Sequence, residues 1–299
     1  MRALVSCLLL AGCTQLDFLP LGEAELPYWS GLPADTWYDG VHEARTEHGA
    51  STFRLLTDLP RACDGCADSD GDGISDAFEA MVLERFRPVV AMHSEEPLIY
   101  DPLAKVGAVG RVTPAPDNHI RVFIILGYSF DYGRCAQGGH RGDSERVAID
   151  LVIEPPPPPS TTSVNALDSY AVAGFYTAAH EGTSTDASRI STPAEIEAIG
   201  DVTGDRWMIY AARAKHGSFA SRELCQTAAD GVCTAEDCQS FHLLLFPIVN
   251  AGEPDAPMAT ETALGPIWSD APFCGGIDKS DLPCATAPRG KLVDDPFVR

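Results

Sequence analysis

Five runs of apolar and β-branched residues, separated by turn-forming stretches, commit this chain to a mainly β fold. Residues 119–130 read HIRVFIILGYSF, the near-continuous apolar run of a strand buried on both faces. Residues 146–153 (RVAIDLVI), 169–179, 206–214 (RWMIYAARA) and 241–249 (FHLLLFPIV) share its β-branched and aromatic character. One short helix is expected among them. Thr192 can cap it, Pro193 suits its first position, and Glu195 and Glu197 favour its positive end. The proline run at 155–159 cannot join a sheet ladder and is read as a stiff connector. No solenoid period is present. The pattern predicts an antiparallel β-sandwich over residues 87–250. Residues 13–62 read as an anchor and tether, and residues 251–299 as a cysteine-containing extension over the core.

The 299 residues are 45% apolar, which excludes a disordered tail or a multi-span membrane protein. Acids outnumber Lys and Arg by 43 to 21, a net charge of -22. Such a surface repels phosphate backbones, so nucleic acid is excluded as a partner, whereas cations are favoured. Ten cysteines point to an oxidising compartment if the chain is exported. Residues 1–12 supply the export signal: Arg2, a short apolar run, then Leu10-Ala11-Gly12 before Cys13. This segment resembles a bacterial lipobox. That resemblance implies cleavage before Cys13 and acylation of its thiol, so the membrane is the expected partner through lipidated Cys13. Thr14 rather than Asp follows, which points to an outer-membrane lipoprotein of the bacterial cell envelope. Eight cysteines then remain, at 63, 66, 135, 225, 233, 238, 274 and 284, enough for up to four disulfides of open connectivity. A zinc site at Cys63 and Cys66 lacks the second C-x-x-C it needs.

Residues 63–86 carry the sharpest motif. Positions 68–79 read DSDGDGISDAFE, with Asp68, Asp70, Asp72, Asp76 and Glu79 at places one, three, five, nine and twelve, and Gly73 at six. Calcium takes six to eight oxygens at flexible distances, and carboxylates two apart on a tight loop converge on one point. Calcium is the expected cofactor, with Glu79 closing the shell from a helix over 76–86. Ile74 stands one place earlier than an EF-hand requires, and no entering helix precedes. The loop therefore resembles the thrombospondin type 3 and dockerin kind.

A second constellation lies at 138–146, GGHRGDSER, expected as a loop entering the strand VAIDLVI. His140, Asp143 and Glu145, with Asp131 nine residues upstream, offer one imidazole and three carboxylates. That set suits calcium, magnesium or manganese. The segment is similar to the GHRHDWE stretch of the necrosis- and ethylene-inducing-like toxins, which carries metal ligands on a β-sandwich. It also resembles the GDWEH stretch of the vacuolar-protein-sorting sixty-two-like domain. Three further pieces resemble that domain in chain order: FRPVVAMHSEEPLIYDP (86–102), FYTAAHEG (175–182) and IYAARAKHGSF (209–219). Ser144 and Gly142 depart from the toxin motif.

The resemblance implies a cleft divalent ion and adds His180 to the cleft. It makes His93, Glu95, Glu96 and His216 candidates at the same end of the sheet, where the plainer reading of His93 and His216 is a strand-end histidine satisfied by a neighbour. It also implies recognition of a lipid head group or glycan through the ion. A metal-dependent hydrolase of a phosphodiester or glycoside, with His180 and a spare carboxylate activating water, is the alternative; no nucleophile elbow or H-E-x-x-H accompanies it. A purely structural surface lipoprotein is the other.

Overall fold

The computed structural model describes residues 32, 36–38, 53–134, 139–154, 168–182, 184–199, 202–203, 206–228, 235–239, 241–250 and 295–298. The signal and lipobox with Cys13, the proline run at 155–159, Cys135, Cys233, Cys274 and Cys284 lie outside them. The described chain is mainly β, as the apolar runs required. Its strands are β1 (Arg54–Thr57), β2 (Val89–His93), β3 (Val106–Ala115), β4 (His119–Asp131), β5 (His140–Glu154), β6 (Asp168–Thr177), β7 (Arg189–Ser191), β8 (Val202–Thr203), β9 (Arg206–Ala211), β10 (Ser218–Phe219), β11 (Phe241–Leu244) and β12 (Ile248–Asn250). Four helices accompany them: α1 (Asp76–Phe86), α2 (Pro97–Tyr100), α3 (Pro193–Ile199) and α4 (Arg222–Thr227). The α3 start is the one the sequence predicts. Thr192 Oγ1 accepts from Glu195 N at 3.2 Å, and Glu195 Oε2 accepts from Thr192 N at 2.7 Å, a reciprocal capping box behind Pro193.

The larger sheet runs β1-β6-β5-β4-β3-β12, with β7 also on β6, and the smaller β10-β9-β2-β11, with β8 also on β9. Neither sheet is purely antiparallel, which corrects the expected arrangement. β12 runs parallel to β3, and β2 parallel to β9. The physical reason lies in the connections. The β3–β6 meander is inserted between β2 and β9, so the chain re-enters the small sheet in its original direction. The run read as one strand over 241–249 is split by Pro247, which has no N–H to give a ladder. Before it, β11 pairs with β2 in the small sheet. After it, β12 pairs with β3 in the large one. The expected tether, 13–62, likewise contributes β1 to the edge of the large sheet.

A single apolar cluster draws on both sheets and on α1: Ile124, Leu126, Val147 and Ile149 from the large sheet, Val90, Met92 and Ile209 from the small one, and Phe78, Val82 and Phe86 from the helix. Each such fully buried side chain is worth about 1.5–3 kcal/mol. The helix ends where Arg87 precedes Pro88, a residue that excludes α geometry before it. On the other face of the large sheet, Arg121 pairs with Asp150 and Asp295, and its guanidinium lies 5.0 Å from the Phe297 ring centroid. Gly174 leaves room there: a methyl group on it would meet the Phe297 ring at 3.2 Å. Among the described residues no helix is long and apolar enough to cross a membrane.

Candidate functional site

The acidic loop is built by its own backbone. Cys63 and Cys66 form a disulfide just before it, which disposes of zinc at that pair. Asp68 accepts from Gly71 N at 2.8 Å and from Gly73 N at 3.0 Å, and Asp72 accepts from Ile74 N at 2.8 Å. Gly73 sits at a φ of 90°, a left-handed geometry that a side chain resists. Wound this way, one carboxylate oxygen from each of Asp68, Asp70 and Asp72 lies within 4.8 Å of the others.

Glu79 approaches from α1 and is 1% exposed. Its Oε2 accepts from Asn250 Nδ2 at 2.7 Å. Its Oε1, like Asp72 Oδ2, is buried with no hydrogen-bond partner among the described residues. Burial, reinforced by Asp70, Asp72 and Asp76 and opposed by the Asn250 amide, pushes Glu79 up to about 8. Burial also lifts Asp72 to about 6; the Ile74 N–H and Arg111 pull it down, while Asp70 and Asp68 add to the rise. Orphaned carboxylate oxygens crowded with like charges are a donor set suited to a hard divalent cation. Asp76 is turned elsewhere: its two oxygens accept from Ser69 N at 2.8 Å and Ser69 Oγ at 2.6 Å.

The second constellation is arranged differently. The expected entry loop is itself strand: β5 begins at His140, opposite Asp131, with Asp143 opposite Tyr128 and Glu145 opposite Leu126. The long β4 ladder carries the pairing back that far. Only the backbone of His140 is described, so its imidazole lies outside the account. Asp131 accepts from Lys215 Nζ at 2.8 Å and Gly133 N at 2.7 Å. Asp143 accepts from Ser144 N at 2.8 Å and faces His216 Nδ1 at 3.0 Å. Among the described residues, Asp131, Asp143 and Glu145 do not gather into a three-ligand group.

His216 is the centre of this region. It is fully buried, stacked on the Tyr128 ring at 4.1 Å and 7°, and its Nε2 lies 3.4 Å from Glu96 Oε1. Burial pulls its pKa down, but Glu96 and Asp143 outweigh that and lift it to about 10. Glu96 is buried too; its desolvation is overcome by His216 and by the Ala214 and Leu98 N–H groups, so it stays below the usual carboxylate range. An imidazolium thus bridges two carboxylates inside the protein. Tyr128 is pushed well up by burial and by Glu145, Asp143 and Glu96.

His180 and His93 face carboxylates as well. His180 Nε2 lies 2.7 Å from Glu236 Oε1, and Glu236 also meets Arg134 at 3.3 Å. His93 Nδ1 accepts from Glu95 N at 3.0 Å, leaving Nε2 to face Asp237 at 3.3 Å. Arg213 joins Asp237 to Glu95 at 3.5 and 3.1 Å. For His93 and His216, the neighbour-satisfied reading is what the geometry shows. His180, Ala214 and His216 all hold left-handed φ between 57° and 67°, a strain that their partners sustain. Glu236, Asp237 and Asn250 lie outside every motif in the sequence, and the run holding Tyr128 and the piece holding Lys215 do not mark either one as a site residue. The Cys225–Cys238 disulfide ties the segment of Glu236 and Asp237 to α4, and Arg213 N, just past β9, donates to Asp237 O at 3.1 Å. The contrast is chemical: buried oxygens of the acidic loop lack a protein donor among the described residues, whereas Asp131, Asp143 and Glu96 of the second cluster already face Lys215 or His216.

No family model matches the chain, and no curated protein does. A solved structure described as "Toxin fold for microbial attack and plant defense" is similar with a TM-score of 0.37 and 13% identity, over 71% of this chain and 87% of that one. A likeness so slight carries no argument about activity.

Proposed function

We propose that this protein is a calcium-binding lipoprotein of the bacterial cell envelope, anchored through Cys13 and exposing a two-sheet sandwich related to the toxin and vacuolar-sorting-like domains. The observation that carries the reading is the loop: three converging carboxylates, with buried oxygens of Asp72 and Glu79 that no donor among the described residues meets. Asp68, Asp70, Asp72 and Glu79 would hold the ion. Its chemistry there is structural, neutralising charge that otherwise opposes the packing of α1.

The end of the sheet around His140, Asp143 and Glu145 is the proposed recognition surface for a polar lipid head group or glycan, engaged through a second divalent cation. Support for this comes from the motifs resembling the two families in chain order over 86–219. Titration calorimetry with calcium chloride tests the first part: binding that Asp70→Asn and Asp72→Asn abolish is expected, and no heat from the wild type refutes it. A head-group and glycan array with and without EDTA tests the second. Chelator-sensitive binding lost in Asp143→Asn is expected, and no chelator-sensitive signal refutes it.

A further inference from the structure

The acidic loop does not stand apart from the sheet. Its last proposed ligand, Glu79, is 1% exposed, with Oε1 buried and lacking a hydrogen-bond partner among the described residues. The other oxygen is fixed by Asn250 at 2.7 Å, the last residue of β12 and 171 positions away in sequence. β12 is a three-residue, half-exposed edge strand held parallel to β3 through Ile248, Val249 and Asn250. It follows Pro247, and Ile248 packs it against the main apolar cluster. Asn250 pairs with Gly110, and at Gly110 a methyl group would collide with Leu83 of α1 and approach Ile248 at 3.1 Å. The helix, β3 and β12 therefore meet at one bare backbone position, directly behind the loop's ligand.

We propose that the loop and Asn250 form a clasp: a divalent cation in the loop, held by Glu79, fastens edge strand β12 to the large sheet through the Glu79–Asn250 bond. This rests on the calcium reading above. Asn250 is a positioning residue, aiming one carboxylate oxygen at the ion by holding the other. Groups behind a ligand commonly govern metal affinity by about 10–100-fold. Linkage makes the effect mutual. Whatever factor the docked strand adds to cation affinity, the cation adds to strand docking.

The test is hydrogen exchange on the full chain, in calcium chloride and in EGTA, alongside calcium calorimetry. Chelation is expected to raise exchange at 248–250 and at the facing amides of 108–110, while β4 and β5 stay protected. Asn250→Ala is expected to weaken calcium binding by about 10-fold or more. Asp72→Asn, which leaves the Glu79–Asn250 bond in place, is expected to show the EGTA pattern even in calcium, and it covers the case in which Asn250→Ala misfolds. A wild type that binds calcium but whose β12 exchange ignores it overturns the clasp and leaves the calcium reading standing. A wild type that binds no calcium overturns both.

Discussion

Replacing His216 with Asn removes the imidazolium that lies between the buried Glu96 carboxylate and the half-buried one of Asp143. Asn tolerates the left-handed backbone at φ 57°, so the change acts on charge and packing rather than on chain geometry. Glu96 is 1% exposed and Asp143 lies 3.0 Å from the ring, and neither can recover full hydration once the imidazolium is gone. Breaking a buried pair by removing one partner costs about 3–5 kcal/mol. In a domain of this size that lowers Tm by roughly 6–20 °C.

The pH dependence has a definite sign. His216 is lifted in the folded protein from 6.5 to about 10. Its contribution is complete below about pH 6.5 and fades as pH rises towards 10, at no more than about 1.4 kcal/mol per pH unit. Urea unfolding at pH 6, 7.5 and 9, in saturating calcium to quieten the acidic loop, separates this group. The wild type should lose stability across the window, and His216→Asn should start lower and lose less. Adding Glu96→Gln to His216→Asn should recover part of the loss, because the orphaned charge goes with it. A His216→Asn variant within 1 kcal/mol of wild type at pH 6, or with an unchanged pH slope, refutes the buried ion triad.

Calcium at about 100 times its Kd should stabilise the wild type by about 2.7 kcal/mol, seen as a higher Tm in calcium than in EDTA, with no such shift in Asp70→Asn. Opening the Cys225–Cys238 loop, whose cysteines stand 13 residues apart, by a double change to Ser should cost about 3 kcal/mol in denaturant melts. The same change should expose His93 and His180 to faster chemical modification as Asp237 and Glu236 lose their anchor. Gly110→Val should destabilise by about 1–3 kcal/mol through collision with Leu83 and Ile248, read by the same melts. Labelling with a palmitate analogue in an expressing Gram-negative cell should mark the wild type and not Cys13→Ala; equal labelling of the two removes the anchor.

Apolar runs made the β content legible because period and residue type are local properties: β4, β6 and β9 start within a residue of where the sequence places them. The start of α1 at Asp76 and the capping box at Thr192 were equally local. Strand direction was not. A parallel pairing of β2 with β9 depends on where the chain has travelled between them, and nothing in either run records that. The two sites divide along the same line. The acidic loop is a contiguous string whose spacing alone brings three carboxylates together, so it could be read at sight.

His216 shows the opposite case. Its neighbours Glu96, Asp143 and Tyr128 come from separate elements, and only packing decides that a histidine will be sealed in as a cation. Asn250, reaching Glu79 across 171 residues, is the same lesson at the loop. By itself the amino-acid order determined short-range facts: which segments extend, where one helix begins, and where negative charge is dense enough to ask for a cation. The tertiary structure alone decided which charges were neutralised and which were left wanting. Burial and partner identity are properties of residues distant along the chain, and no local pattern encodes them.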